Sequence, residues 1–336
     1  MLDYTLPHDD PLGVLSSTRF VMERAESVRL DPEALAKIAA ELGPLMSAAP
    51  DWHDARHFSD GTWRTAGWVL ALDALNFCFW STTNERWRVE WEGRIEDGYW
   101  ALAAALTRAA EEGRPIWDPR YLQTLTPRDV AHILRPYDEN APEIPLFPIR
   151  VQNLHELARG LLEGFPESAN PVQALIESAD GSAVELVRIV TERFPSFNDV
   201  ALYQEQEVRF YKRAQILVSD LAGAFNGRGF GDFHDLNLLT AFADYKIPQV
   251  LRGFNALVYS PELDAAIAER RLIPMGSAWE VEIRAATIWA CELLRRDLAE
   301  DGRLFRATEI DWILWLAGQS LPDTMPPYHR TLTVFY

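Results

Sequence analysis

Residues 65–80 read TAGWVLALDALNFCFW, and Asp73 and Asn76 are almost the only strongly polar side chains in this stretch. An apolar run of this length, without the alternation of a half-exposed strand, predicts a buried helix or a helix followed by a turn. Its longest uninterrupted apolar runs, such as residues 68–72, are far shorter than the roughly 20 residues that a membrane span needs. We therefore expect a globular protein built around a buried helix.

The sequence on either side of this stretch also favours helices. Thr126-Pro127-Arg128-Asp129 is typical of a helix start, with a capping residue followed by proline. Apolar residues at helical spacing predict further helices over residues 32–45, 99–112, 151–163, 178–194, 203–224, 236–246, 248–256, 261–270, 279–300 and 308–318.

Strand signals are few. Residues 85–91 predict one strand or hairpin, and residues 330–336 are β-prone. The proline-rich stretch 135–148 is the best candidate for a domain boundary, but the helices on its two sides are equally apolar. We therefore predict a mainly α protein in which residues 1–336 form a single compact helical unit.

Charge and composition restrict the class of partner. The chain has 336 residues, is 48% hydrophobic and carries a formal net charge of −18. No basic stripe is visible, which argues against long nucleic acids and anionic membranes and favours a cationic or zwitterionic small molecule. Residues 1–10 do not resemble a secretory signal, so the sequence predicts a cytoplasmic protein.

Cysteine and histidine spacing gives no sign of a metal site. Cys78 and Cys291 each lie in an apolar run and are predicted to be buried, reduced thiols. The seven histidines are scattered without the spacing of a zinc site, so we predict no metal. The glycine-rich residues 226–231 match no phosphate-binding pattern and predict a turn between helices.

Asp244 is the most informative candidate residue. In residues 238–248, LLTAFADYKIP, it is a carboxylate within a predicted apolar helix that Pro248 then breaks. A buried carboxylate is costly unless it is paired. The residues alone leave two interpretations open, a structural salt bridge to Lys246 or a distant arginine, and a carboxylate that stabilises a developing cation or activates water.

Other charged residues permit two interpretations each. Asp311, followed by Trp312, is either a helix cap beside a core residue or part of a binding pocket. Asp235 either caps the predicted helix at residue 236 or binds a ligand. The pair Glu280 and Arg284 is typical of a solvated helix face, whereas Glu282 faces apolar neighbours and is a candidate to pair with a buried base.

The basic and aromatic candidate residues also allow two interpretations each. Lys212 and Arg213 form a basic pair in an acidic chain, and either lie on the surface or bind a phosphate. His329, in Tyr328-His329-Arg330, has the same two interpretations. His57 either is a structural histidine or stacks on and hydrogen-bonds to a ligand ring.

At these residues the chain resembles the queuosine salvage proteins, which are queuosine 5′-phosphate N-glycosidases. The resemblance extends from about residue 50 to the C-terminus, in the same order, while the first 30 or so residues carry little of it. It rests on residues 72–80 (LDALNFCFW), 194–199 (FPSFND), 210–215 (FYKRAQ), 242–251 (FADYKIPQVL), 280–284 (EVEIR) and 327–330 (PYHR).

The resemblance implies a fold similar to the helix-hairpin-helix DNA glycosylases and the release of queuine from queuosine 5′-monophosphate. It implies that Asp244 is the catalytic carboxylate and that no cofactor is needed. It implies that Phe242, Asp311, Trp312 and His57 contact the base. The sequence further predicts substrate contacts at Tyr245, Asp235, Asp199, Lys212, Arg213, Lys246 and His329. One acid of the family is replaced here by Leu316. We expect a monomer.

The implied reaction agrees with the charges of the candidate residues. Cleavage of an N-glycosidic bond passes through an oxocarbenium-like state, which a buried carboxylate stabilises. The secondary ammonium of queuine suits an acidic pocket, and the 5′-phosphate needs Lys212, Arg213 or Lys246. Two alternatives are a DNA glycosylase, against which the net charge argues, and a non-catalytic binder of queuine or a modified nucleotide.

Overall fold

Helices make up most of the described chain. The computed structural model describes residues 2–42, 51–83, 85–319 and 325–336. The helices of this part are α1 (Val14–Met22), α2 (Pro32–Leu42), α3 (Trp63–Leu75), α4 (Gly98–Glu111), α5 (Pro119–Leu122), α6 (Pro127–Ile133), α7 (Phe147–Gly164), α8 (Pro171–Glu177), α9 (Ala183–Arg193), α10 (Lys212–Ala224), α11 (Lys246–Gly253), α12 (Pro261–Ala268), α13 (Ala278–Glu300) and α14 (Ala307–Gln319). The predicted mainly α class is confirmed.

Helix α3 is the buried helix predicted from residues 65–80. Every residue from Thr65 to Leu75 is buried, and the helix packs against α4, α7 and α10. It begins at a cap in which Thr62 accepts a hydrogen bond from the backbone N–H of Arg64, at 3.2 Å. A Cβ at Gly67 would lie 2.3 Å from the Trp117 carbonyl oxygen, so only glycine allows this close approach.

A buried arginine satisfies the carbonyl groups where α3 ends. The chain turns at Cys78, whose φ is 38°, so the prediction of a helix followed by a turn is confirmed. Arg150 of α7 donates to the carbonyl oxygens of Leu75, Phe77 and Cys78. These carbonyl groups accept no helical hydrogen bond, and the Arg150 guanidinium supplies the missing donors. The turn after α3 is thereby fixed against α7.

Six short strands form three antiparallel pairs in the described residues. They are β1 (Val28–Leu30) with β6 (Leu257–Tyr259), β2 (Arg88–Trp91) with β3 (Arg94–Asp97), and β4 (Val200–Tyr203) with β5 (Gln206–Arg209). The β2–β3 hairpin confirms the strand signal at residues 85–91. Of the β-prone residues 330–336, Arg330 forms one isolated bridge with Leu272.

The helix predicted over residues 236–246 is wrong. Residues 236–238 form one 3-10 turn, residues 239–245 form an irregular loop, and α11 begins at Lys246. Gln215 of α10 holds this loop, because its side chain accepts from the Thr240 backbone N–H at 2.8 Å and donates to the Thr240 hydroxyl at 3.1 Å. The backbone of the loop is therefore satisfied by a side chain instead of by helical bonds.

Segments distant in sequence pack together around α13. Helix α1 lies against α13, and β1 pairs with β6. Glu282 of α13 accepts hydrogen bonds from the backbone N–H groups of Ser27 and Val28. The N-terminal residues are therefore integral to the packing of the described chain, although they carry little of the sequence resemblance.

Two smaller predictions can be compared with the structure. Cys78 and Cys291 are buried, free thiols, as predicted. The helix predicted over residues 32–45 extends to Leu42, and residues 43–45 lie outside the described residues. Among the described helices, none is both long and apolar enough to span a bilayer.

Candidate active site

A cavity of about 330 Å³ opens where α3, α10, α14 and the loop of residues 239–245 meet. This volume lies within the usual range for a small-molecule site, roughly 300–1,000 Å³. Charged and amide side chains are interleaved with aromatic rings around its wall. The lining residues are Asn76, Phe77, Phe79, Trp80, Arg86, Trp87, Asp97, Gly98, Tyr99, Lys212, Ile216, Asp220, Phe242, Asp244, Tyr245, Lys246, Asp311, Trp312, Trp315, Gln319, Tyr328 and Tyr336.

Asp244 lies in the cavity wall, at the end of the loop and just before α11. Its Oδ1 accepts hydrogen bonds from the backbone N–H groups of Lys246 and Ile247, both at 2.8 Å. Pro248 therefore lies in the first turn of α11 and does not break a helix at Asp244, which corrects the sequence prediction. Asp244 Oδ1 therefore binds the backbone at the start of α11. Its other oxygen, Oδ2, has no hydrogen bond to another described residue.

The charge state of Asp244 is set by opposing effects. Burial raises the pKa of its carboxyl group, whereas the ammonium of Lys212 and the two backbone N–H groups lower this pKa. The salt bridge to Lys246 that the sequence allowed is absent among the described residues, since Lys246 Nζ donates instead to Gln249 Oε1 at 3.3 Å. Asp244 is therefore a buried carboxylate without a direct ion pair.

Asp311 brings a second carboxyl group from α14. Its Oδ1 accepts the backbone N–H of Phe242 at 2.8 Å, and this bond fixes the loop of residues 239–245 to α14. Burial and the neighbouring charge of Asp244 raise the pKa of Asp311 well above its ordinary value. Asp244 accepts two backbone N–H groups and Asp311 accepts one, so the ionised form of Asp244 is better stabilised. Asp311 therefore keeps its proton to a higher pH than Asp244 does.

Trp312 follows Asp311 and lines the cavity, as the pocket interpretation predicted. Its indole Nε1 is buried and has no hydrogen-bond partner among the described residues. Trp315, one turn later, also lines the cavity, with ring centroids 6.5 Å apart. An indole face with an unused donor suits a planar ligand that brings its own acceptor.

Lys212 lies in the first turn of α10, with only 6% of its surface exposed. Its ammonium lines the cavity and forms no ion pair or hydrogen bond with another described residue. Burial lowers the pKa of this ammonium, while Asp244, Asp73 and Asp311 oppose that effect. Lys212 is therefore a buried cation among carboxyl groups, and the surface interpretation is wrong.

The mouth of the cavity carries two further cations. Arg86 Nη1 lies 2.9 Å from Asp97 Oδ2, and both side chains are exposed and line the cavity. Lys246 lies close enough to Arg86 for the arginine charge to lower the pKa of its ammonium. Tyr245 and Tyr328 also line the cavity, and their rings are tilted by 42° with centroids 4.9 Å apart.

Arg213 is predicted to bind the substrate, but the structure places it elsewhere. Its guanidinium donates to the backbone carbonyl oxygens of Asp73, Ala74 and Ser196. It points away from the cavity because neighbouring residues of a helix face different directions. Arg213 secures the end of α3 and is not a phosphate ligand.

Asp199 is likewise held in a structural cluster. Arg284 donates to both of its carboxylate oxygens, at 2.9 and 2.5 Å, and lies 3.5 Å from Glu280. All three side chains are buried, so the Glu280–Arg284 pair is a charge cluster and not a solvated face. Arg284 Nε also donates to the Ala243 carbonyl oxygen at 3.1 Å, beside Asp244. The cluster therefore holds the loop of residues 239–245 through the Ala243 carbonyl group.

Asp235 caps a helix other than the predicted one. It accepts a hydrogen bond from the Ser182 hydroxyl at 2.7 Å and from the backbone N–H of Ala183, at the start of α9. It does not cap the turn at residues 236–238, and it does not line the cavity. The capping interpretation is correct in kind, but the ligand role has no geometric support.

The two candidate histidines lie behind the cavity wall. His57 Nδ1 is 2.7 Å from the Trp52 carbonyl oxygen, and Nε2 is 2.9 Å from the hydroxyl of Tyr99, which lines the cavity. Burial lowers the pKa of His57 to about 4 and that of His329 to about 3, so both are neutral near pH 7. His329 Nε2 is 3.3 Å from the hydroxyl of Tyr336, another lining residue.

Several lining residues were not predicted from the sequence. Asp220 and Ile216 follow Lys212 at intervals of four, so all three lie on one face of α10. That spacing is visible in the sequence and could have identified Asp220. Arg86 and Asp97 come from the β2–β3 hairpin, and no pattern in the sequence joins this hairpin to α11.

Comparisons with known proteins identify the family of this chain. Residues 56–336 match the family model described as "Queuosine salvage protein". The chain is 51% identical to a Sphaerobacter thermophilus protein over 327 residues, covering 97% of this chain and 98% of that one. It is 35% identical to a Bos taurus protein (98% and 100% covered) and 28% identical to one from Schizosaccharomyces pombe (90% of each). All three are named queuosine 5′-phosphate N-glycosylase/hydrolase, and the chain described here belongs to the queuosine salvage protein family.

Proposed function

We propose that this protein hydrolyses the N-glycosidic bond of queuosine 5′-phosphate and releases queuine. The observation that carries the proposal is the buried Asp244 carboxylate in the wall of the cavity, beside Asp311 and the indole of Trp312. A planar base suits the indole face, and the ribose then lies next to the carboxylate. The curated relatives named for this reaction support the same conclusion.

We propose that Asp244 stabilises the positive charge that develops on the ribose. In a cavity that excludes water, a fixed carboxylate acts strongly on an oxocarbenium-like centre. Burial raises the pKa of Asp244, while Lys212 and the two backbone N–H groups oppose this effect and favour its ionised form, which is the form that acts on the ribose. Asp311, whose pKa is higher, supplies a protonated carboxyl group that donates a hydrogen bond to the base.

The reaction is tested by incubating the protein with queuosine 5′-monophosphate and detecting free queuine by mass spectrometry. We expect time-dependent release that scales with protein concentration. Release no faster than in buffer would overturn the proposal. Binding without release would support the non-catalytic alternative, and excision of a base from duplex DNA would support a DNA glycosylase.

We propose that the 5′-phosphate binds at the mouth, to Lys246 and Arg86. Two cations this close repel one another, and a phosphate between them relieves the repulsion. Arg86 would exchange its bond to Asp97 for one to the phosphate. Lys212, the other candidate in the sequence, lies among Asp244, Asp73 and Asp311, where a phosphate dianion would be repelled.

Replacing Lys246 by glutamine tests this assignment. We expect kcat/KM for queuosine 5′-monophosphate to fall about tenfold to a hundredfold, because one charged hydrogen bond is lost. The value for unphosphorylated queuosine should hardly change. Lys37→Gln, at an exposed lysine on α2, is the matched control and should alter neither value. An equal fall for both substrates would exclude a phosphate role for Lys246.

We propose that the whole chain forms one domain with a fold similar to the helix-hairpin-helix DNA glycosylases. The single domain is supported by the packing of α1 on α13 and by the β1–β6 pair, and the fold by the predominance of helices. The small molecule queuosine 5′-phosphate is the proposed partner. The monomeric state and cytoplasmic location stay predictions from the sequence.

A further inference from the structure

The inner end of the cavity is acidic. Lys212 and Asp220 face the cavity from the same side of α10, separated by eight residues. Two turns of helix correspond to about 12 Å between their backbones. Lys212 lies beside Asp244, so Asp220 lies farther along the wall, with only 2% of its surface exposed.

A second acid lies behind Asp220. Asp73 of α3 is fully buried, and the two carboxyl groups are close enough for the charge of Asp73 to raise the pKa of Asp220. Asp73 Oδ1 accepts from Asn76 Nδ2 at 3.2 Å, whereas Oδ2 has no hydrogen-bond partner among the described residues. Neither acid forms an ion pair with a described lysine or arginine. Desolvated carboxyl groups without a cation are costly.

Positively and negatively charged side chains alternate along the cavity, from its mouth to its inner end. Arg86 and Lys246 are at the mouth, and Lys246 lies near Asp244. Asp244 lies near Lys212, and Lys212 near Asp220. A ligand with an anion at one end and a cation at the other therefore has one favourable orientation, with the anion at the mouth and the cation inside.

We infer that Asp220, with Asp73 behind it, binds the secondary ammonium in the side arm of queuine and so selects this base over unmodified 7-deazaguanine. The inference rests on the proposed function, which places the phosphate at the mouth and the ribose at Asp244. The ammonium provides the direct ion-pair partner that neither carboxyl group has among the described residues, where Lys212 acts on both only through its charge. Hydrogen bonds between charged partners in a dry site discriminate strongly against a ligand that lacks one partner.

Binding of the ammonium is coupled to a proton. Burial raises the pKa of Asp73 to about 7, and burial together with the charge of Asp73 raises that of Asp220 well above its ordinary value, so the empty pair retains a proton near neutral pH. The titratable or charged groups facing the pair are Tyr99 of α4 and Lys212 and Arg213 of α10. A bound ammonium favours two ionised carboxylates, so queuine uptake releases a proton.

Calorimetry with free bases tests the inference without requiring catalysis. The full chain is titrated with queuine and with 7-deazaguanine, which has the same ring but no arm, in buffers of different ionisation enthalpy. We expect tighter binding of queuine, with proton release only for queuine. Asp220→Asn should weaken queuine binding about 30-fold, the loss typical of a charged hydrogen bond, and leave 7-deazaguanine binding unchanged.

Two further variants complete the design. Asp232→Asn, at an exposed aspartate outside the cavity, is the matched control and should leave both affinities unchanged. Asp73→Asn should keep the preference for queuine but reduce proton release, because it removes the neighbouring charge that adds to burial in raising the pKa of Asp220. This variant retains the acceptor for Asn76 and remains informative if Asp220→Asn does not fold.

Some outcomes would overturn the inference. Equal affinity of the unaltered chain for both bases would do so without any variant, as would an equal loss for both bases in Asp220→Asn. This binding test does not depend on whether the chain catalyses the hydrolysis. A chain that prefers queuine but releases none from the nucleotide contradicts the proposed function and leaves this inference intact.

Discussion

Replacing Asp244 by asparagine is expected to abolish queuine release while much of the affinity for the nucleotide remains. The amide oxygen of asparagine can still accept the N–H groups of Lys246 and Ile247, so the start of α11 is retained. The negative charge that stabilises the developing cation is lost. We expect the rate of the chemical step to fall by about 10³-fold or more, comparable to the loss of a key electrostatic group in other enzymes.

Single-turnover assays separate this effect from changes in binding. Queuine is measured by mass spectrometry with the protein in excess over queuosine 5′-monophosphate, and affinity is measured by calorimetry. Asp232→Asn, which removes an exposed carboxylate, should turn over normally. A normal rate for Asp244→Asn would show that the carboxylate is not the catalytic group.

Replacing Arg284 by methionine is expected to destabilise the protein by about 3–5 kcal/mol, because it leaves buried charges uncompensated. Asp199 and Glu280 would keep their carboxyl groups in the interior without a cation. The loss should appear as a lower midpoint in urea denaturation followed by circular dichroism.

The matched control is Arg209→Met, which breaks an exposed ion pair with Glu207 and should cost less than about 1 kcal/mol. The double variant Asp199→Leu/Arg284→Met should recover part of the loss, since it removes one of the two stranded acids. An unchanged midpoint for Arg284→Met would show that the cluster does not stabilise the fold.

Local sequence patterns predicted the helical class but missed a hairpin. The prediction of one helix over residues 203–224 failed at Gln204 and Glu205, which both adopt positive φ, 45° and 66°, and turn β4 into β5. Both residues are good helix formers, and no Asn-Gly or Asp-Gly pair marks the turn. Tertiary packing selected a turn that local propensity argues against.

The loop that carries Asp244 was missed for a related reason. Residues 238–246 have helical spacing, but Thr240 bonds to Gln215, Phe242 to Asp311, and Ala243 to Arg284. These three partners lie on other helices. The residue types could be selected from the sequence, but the backbone conformation depends on side chains far away in the chain.

The dependence on side chains that are distant in the sequence also explains which site residues could be predicted. Family resemblance selected Phe242, Asp244, Asp311 and Trp312, and the structure brings these four, with Tyr245, to one cavity. It could not separate Lys212 from Arg213, because that distinction depends on which side of α10 faces α3. Asp220 lies outside the runs that carry the resemblance, so the acidic inner end was found only in the structure.

The β1–β6 pair has a consequence for the order of folding during synthesis. β1 leaves the ribosome long before β6, which lies beyond the loop that carries Asp244. Until then, β1 lacks its partner and α1 lacks the surface of α13. Contacts between such distant segments form late and slowly. We therefore expect the nascent chain to remain susceptible to proteases and dependent on chaperones until α13 has emerged, and to gain activity only after that point.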